Sequence, residues 1–326
     1  MKFSVIIPLY NKESYLSQTL NSVKGQTYKD FEVIIVDDGS LDRSLSIANS
    51  YKTDSRFKVY HLQNGGVSKA RNYGISVCKG DYICFLDADD VWNKNYLSEA
   101  AYLLNKYADI NMICFSYNNF SEQIDNISKQ CNLRSYFADE DKLIDYFCYS
   151  VKEKRSIALT SGVVVKKSCV SENSIIFAHD ISMGEDIDFW VHIAAYAPIV
   201  YSNKCLMYYR KDSEENLSSK GLKSLSLSFP YWRWYDLKSF SPYKNKFTTR
   251  MIYSLAMMGR YTGESLMIRQ VLSKIVGSYL IFSRICLYIC SFNMSFFLVI
   301  DSIKRIKRYY FCLLYTSPSP RDRQKS

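Results

Sequence analysis

The chain has 326 residues, enough for one large α/β domain with appendages or for two domains. Hydrophobic residues make up 48% and charged residues 23%, the balance of a globular protein, and the net charge is +10. Ten cysteines without a CxxC pair and only three histidines argue against a structural zinc site, so the thiols read as reduced and mostly buried.

Phe3–Leu9 (FSVIIPL) is a short apolar run rich in β-branched residues, the pattern of a strand buried on both faces. It is too short for a signal peptide, because Asn11-Lys12-Glu13 breaks it, and the chain is expected in the cytosol. Asn11 or Ser14 is placed to cap a helix on which Leu16, Leu20 and Val23 recur. Phe31–Val36 is a second buried strand, followed by a helix over roughly Asp42–Tyr51. Phe57–Leu62 is a third strand, Asn64-Gly65-Gly66 a turn, Val67–Cys78 a helix and Tyr82–Leu86 a fourth strand. Lys94–Tyr107 is helical and Ile110–Phe115 extended. From Ser116 to Arg155 the mixed polarity reads as an insertion or a helical connection. Ser156–Val165 reads as a strand bent at Ser161-Gly162. Glu185–Ala195 reads as a helix with Phe189, Ile193 and Tyr196 on one side, and Val200–Arg210 as extended.

Beyond Ser213 the sequence turns helical and aromatic. Ile275–Ile300 is long enough to span a bilayer, but Arg284 and Asn293 favour helices packed on the domain or lying in an interface. The basic run Lys304–Arg308 beside it points to an anionic membrane surface. Nucleic acid is not expected, because no binding motif is present and the pocket-like clusters are acidic. The expected division is a catalytic domain over residues 1–212, a helical, membrane-associated region over 213–314, and a non-native Pro/Ser-rich tail over 315–326.

Alternating strands and helices predict βαβ units and a mainly parallel, Rossmann-like sheet flanked by helices. Ligands bind such sheets outside the carboxyl ends of the strands. Four successive strands end in polar residues there: Tyr10-Asn11, Asp37-Asp38, Asn64 with Lys69 and Arg71 beyond, and Asp87-Ala88-Asp89. Asp87 and Asp89, one residue apart at a strand end, suit Mg²⁺ or Mn²⁺, with substrate phosphates completing the shell. The same acids also read as a solvated turn. Asp37-Asp38 reads either as a carboxylate for a uracil imide and a ribose hydroxyl or as part of a turn, with Ser40 or Asp42 capping the next helix. The helix start after Gly65-Gly66 offers amides to an anion, with Lys69 and Arg71 adding charge; no Walker pattern and no GxGxxG occurs. Gly184-Glu185-Asp186-Ile187-Asp188 opens a helix, and one of its acids reads as a general base or as dipole compensation. Spacing alone does not choose between Glu185, Asp186 and Asp188.

Together VIIPLYN (Val5–Asn11), VDDGS (Val36–Ser40), GGVSKARNYG (Gly65–Gly74), GDYICFLDADD (Gly80–Asp90) and GEDIDFW (Gly184–Trp190) resemble the family 2 glycosyltransferases of GT-A fold, of the bacterial surface-polysaccharide type. The resemblance is dense over residues 1–115 and fades beyond Tyr208-Tyr209-Arg210. It implies a nucleotide pocket lined by Pro8, Tyr10, Asn11, Asp38 and Asp37, with Lys69, Arg71, Asp87 and Ala88 near the donor. It implies Asp89 as main metal ligand with Asp87 assisting, and Asp90 as a cap of the next turn. Asp186, in its pair with Glu185, would be the catalytic base, and Trp190 would floor the acceptor site. The reaction implied is an inverting transfer from a nucleotide-diphosphate sugar, a UDP-sugar foremost, to a hydroxyl of a glycan or lipid-linked acceptor in capsule, lipopolysaccharide or other cell-surface glycan synthesis. The place implied is the cytoplasm, peripherally on the inner face of the membrane. The QxxRW signature of processive synthases is absent, so one transfer per encounter is expected. A nucleotidyltransferase would carry a glycine- and basic-rich loop where Pro8-Leu9-Tyr10-Asn11 stands. A non-catalytic sugar-binding protein would have no need to keep Asp38, Asp87, Asp89 and Asp186 together.

Overall fold

The computed structural model describes residues 1–107, 109–121, 141–153, 155–179, 184–211 and 233–251. Ile275–Ile300, Lys304–Arg308 and the 315–326 tail lie outside them. One compact unit runs Met1–Met251, and a second, Ile252–Ser326, falls beyond the described residues.

The first four strands are β1 (Phe3–Leu9), β2 (Phe31–Asp37), β3 (Phe57–His61) and β4 (Tyr82–Phe85). They pair in parallel in the order β3-β2-β1-β4. Every residue of β1 and β2 is buried, as their unbroken apolar runs require of strands covered on both faces. Helices α1 (Leu16–Lys24), α2 (Ser44–Ser50) and α3 (Val67–Val77) make the crossovers. Neither Asn11 nor Ser14 caps α1, which starts at Tyr15 without a side-chain cap. Asp42 Oδ1 does hold the start of α2 by accepting the Ser44 amide at 2.9 Å.

Beyond β4 the sheet becomes mixed. β5 (Val91–Trp92), β6 (Met112–Phe120), β7 (Lys142–Ile144), β8 (Val163–Lys166) and β9 (Ile199–Arg210) complete nine strands. β8 lies antiparallel between β4 and β6, β9 runs parallel to β6, and β5 and β7 pair antiparallel with β9. α4 (Tyr96–Lys106), α5 (Tyr146–Glu153), α6 (Lys167–Glu172) and α7 (Glu185–Ala194) fill the connections. β6 is longer than expected and takes residues 116–120 out of the anticipated insertion. The strand expected from Ser156 begins only at Val163, because Thr160–Gly162 is a 3-10 turn. Tyr196 is 48% exposed and does not share the buried face of Phe189 and Ile193. Cys78, Cys84, Cys114 and Cys169 are free and buried, as expected, whereas Cys205 is disulfide-bonded.

Among the described residues no helix is long and apolar enough to cross a membrane. Residues 233–251 pack back on the unit, with Trp234 Nε1 donating to Asp188 Oδ1 at 2.6 Å and Ser241 Oγ to Asp145 Oδ2 at 2.6 Å.

Helix α3 lies close on β1 because Gly74 leaves room there. A Cβ at this position would stand 2.4 Å from Ile6 Cγ2, and Ile6 is fully buried. Gly74→Ala should therefore lower the unfolding free energy by about 1–3 kcal/mol, read as a reduced midpoint in urea denaturation at constant slope.

Candidate functional site

The carboxyl ends of β1, β2 and β4 bring the expected residues to one edge of the sheet. Pro8 is buried within β1 and Tyr10, just past its end, is 42% exposed. Asn11 takes a left-handed conformation, φ 49°, which Asn tolerates better than most residues. There its Oδ1 accepts the Leu41 amide at 2.8 Å and its own amide donates to Ser40 Oγ at 3.1 Å, so the loop after β1 is sewn to the loop after β2.

The paired acids of β2 divide. Asp37 is fully buried and its Oδ2 lies 2.6 Å from His61 Nδ1 on the neighbouring strand. Asp38 accepts the Gly65 amide at 2.9 Å and the Gly66 amide at 2.7 Å, which closes the glycine turn onto the end of β2. Lys69 folds back over this turn, its Nζ 3.1 Å from the Gln63 carbonyl.

Arg71 points inward from α3 and is 4% exposed. Nη2 donates to Asp87 Oδ1 and Nη1 to Glu185 Oε1, each at 2.9 Å, and the guanidinium lies 5.1 Å from the Phe177 ring centre. Burial opposes its charge, yet the Asp87 and Glu185 carboxylates outweigh it and raise its pKa further. One arginine thus ties the acids after β4 to the acids that open α7.

The loop Asp87–Asp90 is pinned at each acid. Burial pushes the Asp87 carboxyl up, while Arg71 holds it down. Asp89 Oδ2 pairs with Lys12 Nζ at 2.9 Å, and its carbonyl accepts Arg210 Nε at 3.1 Å. Asp90 does not cap a turn. Its Oδ2 accepts Ser161 Oγ at 2.6 Å and its Oδ1 the Arg210 amide at 3.0 Å. Burial first, then the charges of Asp89 and Asp87, push its carboxyl far above the usual range. Ser161 Oγ also accepts the Asp87 amide at 3.1 Å, and its carbonyl accepts Trp92 Nε1 at 2.6 Å. Arg210 lies between the rings of Tyr15 and Phe120, 4.7 and 4.4 Å from their centres, and bonds Gln18 Oε1. Ala88 faces the core and its carbonyl is held by Thr19 Oγ1 at 3.0 Å, so its side chain contributes nothing to a donor pocket.

On α7 the structure separates the three acids. Asp188 is a structural acceptor for Trp234, and Glu185 is bound to Arg71. Asp186 accepts Thr160 Oγ1 at 3.1 Å and the Ile187 amide at 2.8 Å. Burial, reinforced by the Glu185 charge, raises its pKa to about 6. It borders a cavity of about 250 Å³ lined by Tyr117, Arg155, Ile157, Leu159 and Ile187 among others. Trp190 does not reach it. The ring is fully buried against Phe85, Phe177 and Phe189, with centroids 5.2–6.1 Å away, so it cannot floor an acceptor site. Lys12, Ser161 and Arg210, which the sequence did not single out, complete the site.

Residues 4–150 match the model of the family described as "Glycosyl transferase family 2". The poly(ribitol-phosphate) beta-N-acetylglucosaminyltransferase TarS of Staphylococcus aureus is 30% identical over 226 residues, 67% of this chain but 37% of TarS, so the chain spans well under half of that relative. The crystal structure of S. aureus TarS 1-349 in complex with UDP-GlcNAc superposes with a TM-score of 0.69 at 23% identity, over 85% of this chain and 82% of that one. The mannosyltransferase PcManGT from Pyrobaculum calidifontis, in complex with GDP-Man and Mn²⁺, superposes with a TM-score of 0.55 at 13% identity, over 85% and 76%. The GT-A fold is common to all three.

Removing Arg71 would strand two acids in a buried setting. Arg71→Met should cost about 3 kcal/mol or more of stability, measured by urea denaturation; a cost near that of an exposed ion pair would contradict the bridging role.

Proposed function

From a chain whose residues 4–150 form a family 2 glycosyl transferase domain, we propose an inverting glycosyltransferase that moves a sugar from a nucleotide-diphosphate sugar to an acceptor hydroxyl. The observation that carries this is the division of labour at the sheet edge. A pinned acidic loop at Asp87–Asp90 stands at the strand ends, and a separate carboxylate, Asp186, borders its own cavity with its pKa raised to about 6. A base poised near neutrality suits removal of a hydroxyl proton.

The residues fit a divalent ion. Asp87 Oδ2 and Asp89 Oδ1 carry no hydrogen bond among the described residues, while their other oxygens are held by Arg71 and Lys12. No group of three or more ligating side chains is assembled among the described residues. Phosphate oxygens and water would therefore complete the shell, as is usual for Mg²⁺. Asp89, with Asp87 assisting, would hold Mn²⁺ or Mg²⁺, which when bound neutralises charge on the departing diphosphate. The Mn²⁺ in the Pyrobaculum mannosyltransferase of the same fold supports this reading.

The chain's own residues would act as follows. Tyr10 and Asn11 border the nucleotide with Asp38, whose fixed carboxylate presents its remaining lone pairs. Asp37, buried on His61, supports this wall rather than touching ligand. Lys69 supplies positive potential near the diphosphate, while Arg71 holds Asp87 in place. Thr160 and the Ile187 amide orient Asp186, which takes the proton as the acceptor oxygen attacks the anomeric carbon and the bond to the diphosphate breaks. Glu185 holds Arg71 and raises the basicity of Asp186.

The UDP-GlcNAc in TarS supports a UDP-sugar as donor, and the poly(ribitol-phosphate) on which TarS acts supports a polymeric acceptor. The apolar and basic sequence of Ile275–Arg308 supports action at the cytoplasmic face of a membrane on a lipid-linked or polymeric acceptor.

A panel of UDP-, GDP- and dTDP-sugars with Mn²⁺ should give nucleotide release with at least one donor; release from none, with no thermal shift, contradicts the reading. Asp186→Asn should keep donor binding by calorimetry and lower kcat by about 100-fold or more. Because Asp186 must be ionised to act, kcat/KM should rise with pH through about 6 and level off above it, tenfold per unit on the acid limb. A flat profile across that range would remove Asp186 from the role.

A further inference from the structure

Lys12 lies in the loop between β1 and α1, one residue beyond the left-handed Asn11. Its backbone is fixed there, with the amide donating to Ser44 Oγ at 2.7 Å. Its side chain crosses from the end of β1 to the loop after β4, where Nζ sits 2.9 Å from Asp89 Oδ2. Both side chains are largely withdrawn from water, at 14% and 10% exposure. The backbone under Asp89 is fixed as well, because Arg210 holds its carbonyl and Asp90, next in the chain, is tied to Ser161 and to the Arg210 amide.

Such a pair is not a surface ion pair screened to near nothing. Two opposite charges held together with little solvent between them interact strongly, and a third charge approaching either one feels both. A divalent cation seeking Asp89 would meet an ammonium already on one oxygen. It gains the full carboxylate only if that ammonium leaves. The ammonium leaves at low cost only if another anion receives it, and the diphosphate of the donor is an anion that would arrive at this edge.

We propose that Lys12 is the resident counter-ion of Asp89 and competes with the divalent cation for it, so that metal binds the free protein weakly and enters together with the nucleotide diphosphate. The proposal rests on the reading of Asp89 as a metal ligand. Lys12 is a positioning residue in this account. It keeps the acidic loop folded before substrate arrives and makes metal capture conditional on the donor.

The test is Mn²⁺ binding to the full chain without nucleotide, read from the loss of the free hexaaquo signal in electron paramagnetic resonance. Wild type, Lys12→Met, Asp89→Asn and the double variant are compared, with Lys12→Gln as a second neutral replacement should the methionine variant fail to fold. Removal of the lysine charge should tighten Mn²⁺ binding by about tenfold or more, the low end of measured couplings between close charge pairs. In the Asp89→Asn background the same replacement should change nothing. If Asp89→Asn weakens Mn²⁺ binding while the neutral Lys12 variants match or fall below wild type, the competition is refuted and the metal reading survives. If Asp89→Asn leaves Mn²⁺ affinity unchanged, the metal reading fails and the proposal falls with it.

Discussion

Acids gathered at the end of a buried sheet repel one another and resist desolvation, and this chain resolves that conflict with its own cations. Arg71 bridges Asp87 and Glu185, Lys12 takes Asp89, and Arg210 with Ser161 holds Asp90 and the Asp89 carbonyl. Each cation is delivered from a different element: the start of α3, the loop after β1 and the end of β9. β5, a strand of only two residues, follows the acidic loop directly and pairs with β9 two residues before Arg210.

This arrangement separates two kinds of carboxylate. Asp37, Asp90 and Asp188 are consumed by the protein, on His61, on Ser161 and on Trp234. Asp87 and Asp89 each keep one oxygen without a hydrogen bond among the described residues, and Asp186 borders a cavity. Neighbouring acids one or two residues apart thus have opposite fates, and the difference lies in which way each side chain leaves the backbone. A strand end alternates directions, so Asp37 and Asp38 part; the first turn of a helix fans its acids, so Asp186 and Asp188 part.

That directional difference is what the sequence could show only in part. The buried strands β1, β2 and β4 and the polar residues at their ends were legible, because continuous β-branched runs and abrupt Asp-rich stops are local signals. Asp186 was legible as one of three acids but not separable from the others by spacing. Trp190 misled: on α7 its neighbours Phe189 and Ile193 already mark the core face, and the ring joins the aromatic cluster on Phe85 and Phe177. Lys12, Ser161 and Arg210 left no local trace, since their bonds to the acidic loop join distant parts of the chain, 71 residues apart for Ser161 and Asp90 and 121 for Arg210 and Asp89. The polar turn at Ser161-Gly162 was visible only as a bend, and Arg210 only as the last residue of a fading resemblance.

On the proposed reading Asp87 and Asp89 hold a metal beside a diphosphate at this sheet edge. Anomalous diffraction from a crystal grown with Mn²⁺ and UDP tests it most directly. One strong manganese peak in contact with Asp89, a phosphate beside it, and the Lys12 ammonium moved off the carboxylate are the expected result. A nucleotide bound with no peak at Asp89, or a peak elsewhere with Lys12 still seated on Asp89, would contradict it.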